Sequence, residues 1–243
     1  LISIYWAKIQ LILEFTNYTF ALLHKNAIFV LSIKNILLMG YYMFAYGVKT
    51  PEIKAVFGSK DEALLQKVKA NDTFQNYADE DDDNQTIKAL TDIIMGNQYN
   101  EQDGYIYGYA FIGICATLGV ELPYTQEIKF WHETELISQL LSEEWNIKTE
   151  IDTELFPADH FHPFSIPEID DFPMISLLDK KHLQALSDLL SKVHKTPEEI
   201  EDLIEGETDE EEDKGYSYEH IMGLKENIAF CLENELDMVA FCH

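Results

Sequence analysis

The sequence contains no arginine. All 17 basic residues are lysines, set against 44 Asp and Glu for a formal net charge of −27. Without a guanidinium there is no planar fork to grip a phosphate, a carboxylate or the edge of guanine at two points. A field this negative also repels a phosphate backbone and an anionic membrane surface. Neither nucleic acid nor membrane is expected as a partner. The natural complement is a basic protein, because opposite fields steer encounter.

Cysteine is scarce as well. Cys115, Cys231 and Cys242 form no CxxC pair and lie mostly in apolar runs, where a free thiol behaves as a small buried hydrophobe. No disulfide framework is implied, and a cytoplasmic location follows as the expectation. The signatures of common catalysis are also missing: there is no Walker A loop, GxGxxG, GxSxG or HExxH. No catalytic residue and no cofactor is expected.

Residues 1–38 differ from the rest. They are mostly apolar, but Lys8, Glu14, Lys25 and Lys34 cut them into pieces too short for a spanning helix, which needs about 20 largely uncharged residues. They also lack the order of a signal peptide. Three readings stand: upstream sequence read in frame, a true N-terminal helix, or a membrane anchor. The first is adopted. Residues 1–38 are read as a non-native or disordered extension, and the working protein as starting at Met39.

From Met39 to His243 the pattern reads as one α+β domain, a small mixed sheet with several packed helices. The apolar stretches 41–48 and 236–243 suit interior strands that pair with each other. Helices are predicted from Ser59 (with Glu62 as a capping box), over 85–95 ending at Gly96, over 105–118, around 133–141, from Asp179, from Thr196, and from about Ser217. The acidic 205–215 stretch reads as a flexible loop. The proline-rich 156–173 reads as an extended loop. In 146–155, Ile147, Thr149, Ile151, Thr153 and Leu155 alternate with charged residues. That predicts a half-exposed strand whose outer face carries Glu150, Asp152 and Glu154 as a rigid acidic row.

Four constellations have chemical content. "ADEDDDNQ" (78–85) imitates a calcium loop, but counting from Asp79 puts Asn84 where the loop needs Gly and Leu90 where it needs Glu. His160 and His162 point the same way on an extended segment, as two metal ligands must, with Asp159, Cys242 or His243 as a third. Two histidines do not make a site, so no metal is expected and these remain the only candidates. His132 beside Glu133 and Glu135 could be an acid–base pair, although neighbours on a helix point apart. Tyr105, Tyr107 and Tyr109 could line a pocket or pack the core.

"MGYYMFAYGV", "FGSKDEALL" and "GYAFIGICATLGVELP" together resemble an uncharacterised bacterial family described only as a domain of unknown function, from Met39 toward the C-terminus. The resemblance implies a bacterial cytosolic protein starting at Met39 and carries no activity. The leading expectation is an acidic, inhibitor- or immunity-like protein that binds a basic protein partner through Glu150, Asp152 and Glu154. The alternative is a small enzyme or ligand-binding protein with its site at the His160–His162 loop and the Tyr105–Tyr109 helix.

Overall fold

The computed structural model describes residues 41–80, 83–157, 164–170 and 172–243. The expectations for residues 1–38 and for the His160–His162 pair lie outside them. Strand β1 (Tyr42–Val48) opens the described fold. It is followed by helices α1 (Thr50–Lys54), α2 (Glu62–Lys69), α3 (Asp72–Asp79), α4 (Gln85–Met95) and α5 (Gly104–Leu118). Two-residue strands β2 (Val120–Glu121) and β3 (Ile128–Lys129) come next, then α6 (His132–Trp145) and α7 (Ile151–Leu155). Strand β4 (Met174–Leu178), helices α8 (Lys180–Leu190), α9 (Pro197–Ile204) and α10 (Asp209–Glu233), and β5 (Asp237–Cys242) complete it.

The two apolar strands pair as the sequence predicts, antiparallel from Met43↔Cys242 to Val48↔Asp237. β4 lies on the other side of β5, and β2 and β3 both lie along the outer edge of β1. Every described pairing is antiparallel, so the sheet is not mixed in strand direction. The physical reason is the return path: β5 comes back from a helical layer beside β1 and β4 and runs opposite to both.

Alternation along the strands divides the core in two. Val48, Ile175, Leu177, Val239 and Phe241 face helices α1–α5. Met43, Leu178, Met238, Ala240 and Cys242 face helices α6–α10. Helix α5 is buried nearly all round, which explains why it shows no polar face. Its Gly113 lets Phe74 of α3 press against the backbone: a Cβ there would sit 2.6 Å from the Phe74 ring. Among the described residues no helix is long and apolar enough to cross a membrane.

Several helix starts follow from local chemistry. Asp179 accepts a hydrogen bond from His182 N–H at 2.9 Å, and Thr196 and Glu199 form a capping box with Pro197 at the first position. For α2 the cap is Asp61, not Ser59: its carboxylate accepts from Ala63 and Leu64 N–H at 2.9 and 3.0 Å. Helices α1 and α3 and strand β4 were not read from the pattern. Each is too short for its periodicity to stand out.

Two predicted elements are corrected. Residues 146–155 are not a strand. Asn146, in the left-handed conformation, ends α6, and Ile151–Leu155 form α7. The buried residues Ile147, Ile151 and Leu155 are four apart, a spacing that a strand and a helix share. Ile151 N–H donates to the Ser138 hydroxyl on α6 at 2.9 Å, a tertiary contact that decides for the helix. Glu150, Asp152 and Glu154 therefore form no row on a sheet face. The acidic stretch 205–215 is not a flexible loop throughout either. Thr208 caps α10 by accepting from Glu211 N–H at 3.2 Å, and Asp209 to Glu212 occupy its first turn. Negative side chains there meet the positive end of the helix dipole.

Candidate functional site

The edge strand beside β1 is interrupted. Glu121 pairs with Tyr46 and Ile128 pairs with Met43, so Leu122–Glu127 leave the sheet opposite Phe44 and Ala45. The bond phase of β1 is fixed by Tyr42, which exchanges both backbone bonds with His243. Alternate residues then point their N–H and C=O toward β5, and Ala45 points its pair the other way, into the gap.

The departing loop is held by Tyr124. Asn227 on α10 clamps its backbone, accepting from Tyr124 N–H and donating to its carbonyl, both at 2.9 Å. The Tyr124 hydroxyl lies 2.7 Å from His220 Nδ1, and His220 Nε2 lies 3.1 Å from a Glu133 carboxylate oxygen. That oxygen also accepts from Lys129 N–H at 2.6 Å. Because Glu133 only accepts, His220 Nε2 carries a proton and donates it to that carboxylate. Gly223 lies beneath the Tyr124 ring, where a Cβ would approach to 2.2 Å. His220, Gly223 and Asn227 share one face of α10, and that face is shaped to this one tyrosine.

The turn before α6 is strained. Trp131 has φ 67° and ψ −49°, and His132 N–H donates to Phe130 C=O at 2.9 Å, which makes it a γ-turn of the rare hand. Its side chain is exposed and edge-on to Tyr41, with ring centroids 5.5 Å apart. The turn brings Glu133 back over Lys129. The partner of Glu133 is thus His220, not the adjacent His132, whose side chain is exposed.

The chain Tyr124–His220–Glu133 holds rather than activates. Burial pushes the Tyr124 phenol up, and the charges of Glu219 and Glu133 push it further, so it stays protonated at neutral pH. Burial opposes ionisation of Glu133, but the hydrogen bonds from His220 and Lys129 and the neighbouring histidine charges outweigh it and lower its pKa. The thiols offer no nucleophile: burial drives Cys115 well up and Cys231 and Cys242 to about 12. Replacing Glu133 with Gln is expected to cost about 1–3 kcal/mol at neutral pH, since a charged acceptor of two buried donors is lost. A lowered folded pKa contributes stability that is present above the ordinary value of 4.5 and lost as pH falls through the folded value. Urea unfolding of both proteins should therefore show their difference shrinking below that pH. A difference independent of pH would contradict the assignment.

Two concavities adjoin Tyr124. One, of about 280 Å³, occupies the gap in the sheet edge and reaches from Tyr77 on α3 to Leu224 and Asn227 on α10. The other is an open groove of about 880 Å³ between α9 and α10. Its floor is Ile200, Ile204 and Met222, and Glu201, Glu205, Glu219 and Glu226 stand around it. No side chain of α9 is fully buried, so its apolar stripe is only half covered. Lys225, the cation of the groove, donates its ammonium to the Val193 carbonyl.

The other candidates are scattered. Glu154 accepts from the Thr149 hydroxyl at 2.6 Å, Asp152 accepts from Thr153 N–H at 2.8 Å, and Glu150 and Glu154 border a polar cleft beside α6. Tyr105 is exposed, Tyr109 is half-buried, and Tyr107 turns inward, donating to Asp92 at 3.1 Å. Tyr105 and Tyr109 do share an open acidic concavity with Glu168 and Asp170. Among the described residues no group of three or more His, Cys, Asp or Glu is arranged to hold a metal. Sequence reasoning missed Tyr124, His220 and Asn227. The available signal was a histidine, a glycine and an asparagine at helical spacing within the apolar pattern of Ile221, Leu224 and Ile228.

A family model described as a domain of unknown function (DUF7691) matches residues 39–243. The chain belongs to that family. The match covers β1 to β5, and so the DUF7691 domain includes the whole sheet, both helical layers and the Tyr124 site. No curated protein and no solved structure matches the chain.

Proposed function

We propose that this DUF7691 protein is an acidic interaction protein of the cytoplasm that binds a basic protein partner, and that the partner docks in the groove between α9 and α10. The groove carries the reading. Its floor is apolar, its rim holds four carboxylates, and its one ammonium is engaged by a backbone carbonyl. A basic amphipathic helix is the complement: its apolar face covers Ile200, Ile204 and Met222 while its lysines or arginines meet the rim. The carboxylates stand on two helices packed against each other, so no backbone order has to be created on docking. The buried, unpaired thiols are consistent with a reducing compartment. This surface replaces the 150–154 row as the proposed contact.

A designed helical peptide of alternating Leu and Lys faces serves as probe. The wild-type chain should bind it, and Glu201→Gln, Glu205→Gln and Glu226→Gln combined should weaken binding about tenfold or more and flatten its salt dependence. Ile200→Ser with Met222→Ser should weaken it without changing the salt slope. Equal binding of a scrambled basic peptide that has no apolar face would overturn the groove as the site.

A further inference from the structure

The cavity in the sheet edge is separate from the groove and has a different chemistry. One end is apolar, formed by Met43, Leu155, Leu224 and Met238 beneath the sheet. The other end is aromatic and acidic: Tyr46 and Tyr77 stand beside Glu121 and Glu127, which are exposed at its mouth. No lysine or histidine lines it.

Each element narrows the ligand. Glu121 and Glu127 belong to no cluster of three or more His, Cys, Asp or Glu among the described residues. Carboxylates with phenol rings favour an organic cation, attracted by charge and by the ring faces. The phenols of Tyr46 and Tyr77 are raised in pKa, by burial first and in part by Glu127, so they stay neutral, and their rings are held in place by Phe44 and Phe241 and by Tyr109 and His243 respectively. The apolar end suits a short methylene chain.

We propose that this cavity binds a primary alkylammonium group on a chain of about five carbons, the ammonium between Glu121, Glu127 and the Tyr46 and Tyr77 rings and the chain toward Met43 and Met238. The same chemistry is offered by a free aliphatic amine and by a lysine side chain on a peptide. A free amine enters whole, whereas a peptide lysine has to pass its chain through the mouth with its backbone left outside.

Calorimetry on the full chain tests this with n-pentylamine, Nα-acetyl-lysine methylamide and 1-pentanol. Pentylamine should bind, and pentanol, which has the chain without the charge, should bind at least about tenfold more weakly. Glu121→Gln with Glu127→Gln should weaken the amine by a similar factor, and both positions are exposed, so the fold should persist. Binding of the lysine amide identifies a peptide side chain as the source, and its failure beside a binding pentylamine identifies a free amine. Equal binding of pentanol, an unaffected double variant, or no binding of either amine would overturn the proposal. The groove variant Glu201→Gln, Glu205→Gln, Glu226→Gln should bind pentylamine as wild type does, which separates this site from the docking groove.

Discussion

Replacing Phe111 with Ala is expected to cost about 3–5 kcal/mol, a large share of the ~5–15 kcal/mol that holds a typical domain folded. Phe111 sits in the middle of α5 with no exposed surface. Its ring lies 4.4 Å from that of Phe164 and 6.1 Å from those of Phe57 and Phe241, so it joins the proline-rich segment, the turn after α1 and the sheet. Alanine leaves a void that none of these three can fill without moving the other two. Urea unfolding measures the loss. Tyr105→Ala on the same helix, where the ring is 49% exposed, should change stability by less than about 0.5 kcal/mol. A Phe111→Ala variant that unfolds close to wild type would mean that α5 is not the buried hub described here.

Gly104→Ala should destabilise by about 1–3 kcal/mol or more, and its sign is the informative part. Gly104 is the first residue of α5, and helix propensity alone would make alanine there stabilising by up to about 1 kcal/mol. The structure predicts the reverse: a Cβ at this position would lie 1.9 Å from the Glu168 carbonyl oxygen. Backbone meets backbone there, and no rotamer change relieves it. Relief requires displacing 164–170, which lifts the buried side chains of Phe164 and Ile169 from the core. Limited proteolysis should accordingly cut the variant faster around 164–170. Higher stability, with no change in proteolysis, would contradict the close approach.

How much could be read from residues alone depended on whether a signal was local. The β1–β5 pairing was legible because both strands are apolar on both faces, which only an interior position satisfies. Helix α4 was legible to the residue because Gly96, with φ +71°, ends it. The 146–155 stretch was not, because its decisive contact is the Ser138 hydroxyl on another helix. The acidic run before α10 was misread since carboxylates are common both in solvated loops and in the first turn of a helix. Thr208 followed by Glu211 was the local clue. The Tyr124 site was hidden for a different reason: its members are about 100 positions apart, and each alone is an ordinary residue. Its only trace was polar and glycine positions at helical spacing on α10. The groove was hidden because α9 shows an amphipathic pattern like any surface helix, and nothing in its sequence tells how fully the apolar side is covered.

The placement of β5 between β1 and β4 has a consequence for the order in which the fold can assemble. Both of its neighbours depend on it: β4 has no other strand partner in the described sheet, and β1 has otherwise only two-residue strands. Yet β5 is the last element of the domain, so the central pairing closes a loop of nearly the whole domain, and such closure is slow because its entropy is lost before any contact is gained. On the ribosome, the helices of the first layer can pack while β1 still waits with the unpaired N–H and C=O groups of its β5-facing edge open. The domain is therefore most exposed to edge-to-edge association just before Asp237–Cys242 emerges, and a chain cut short of that strand would keep two sticky edges permanently.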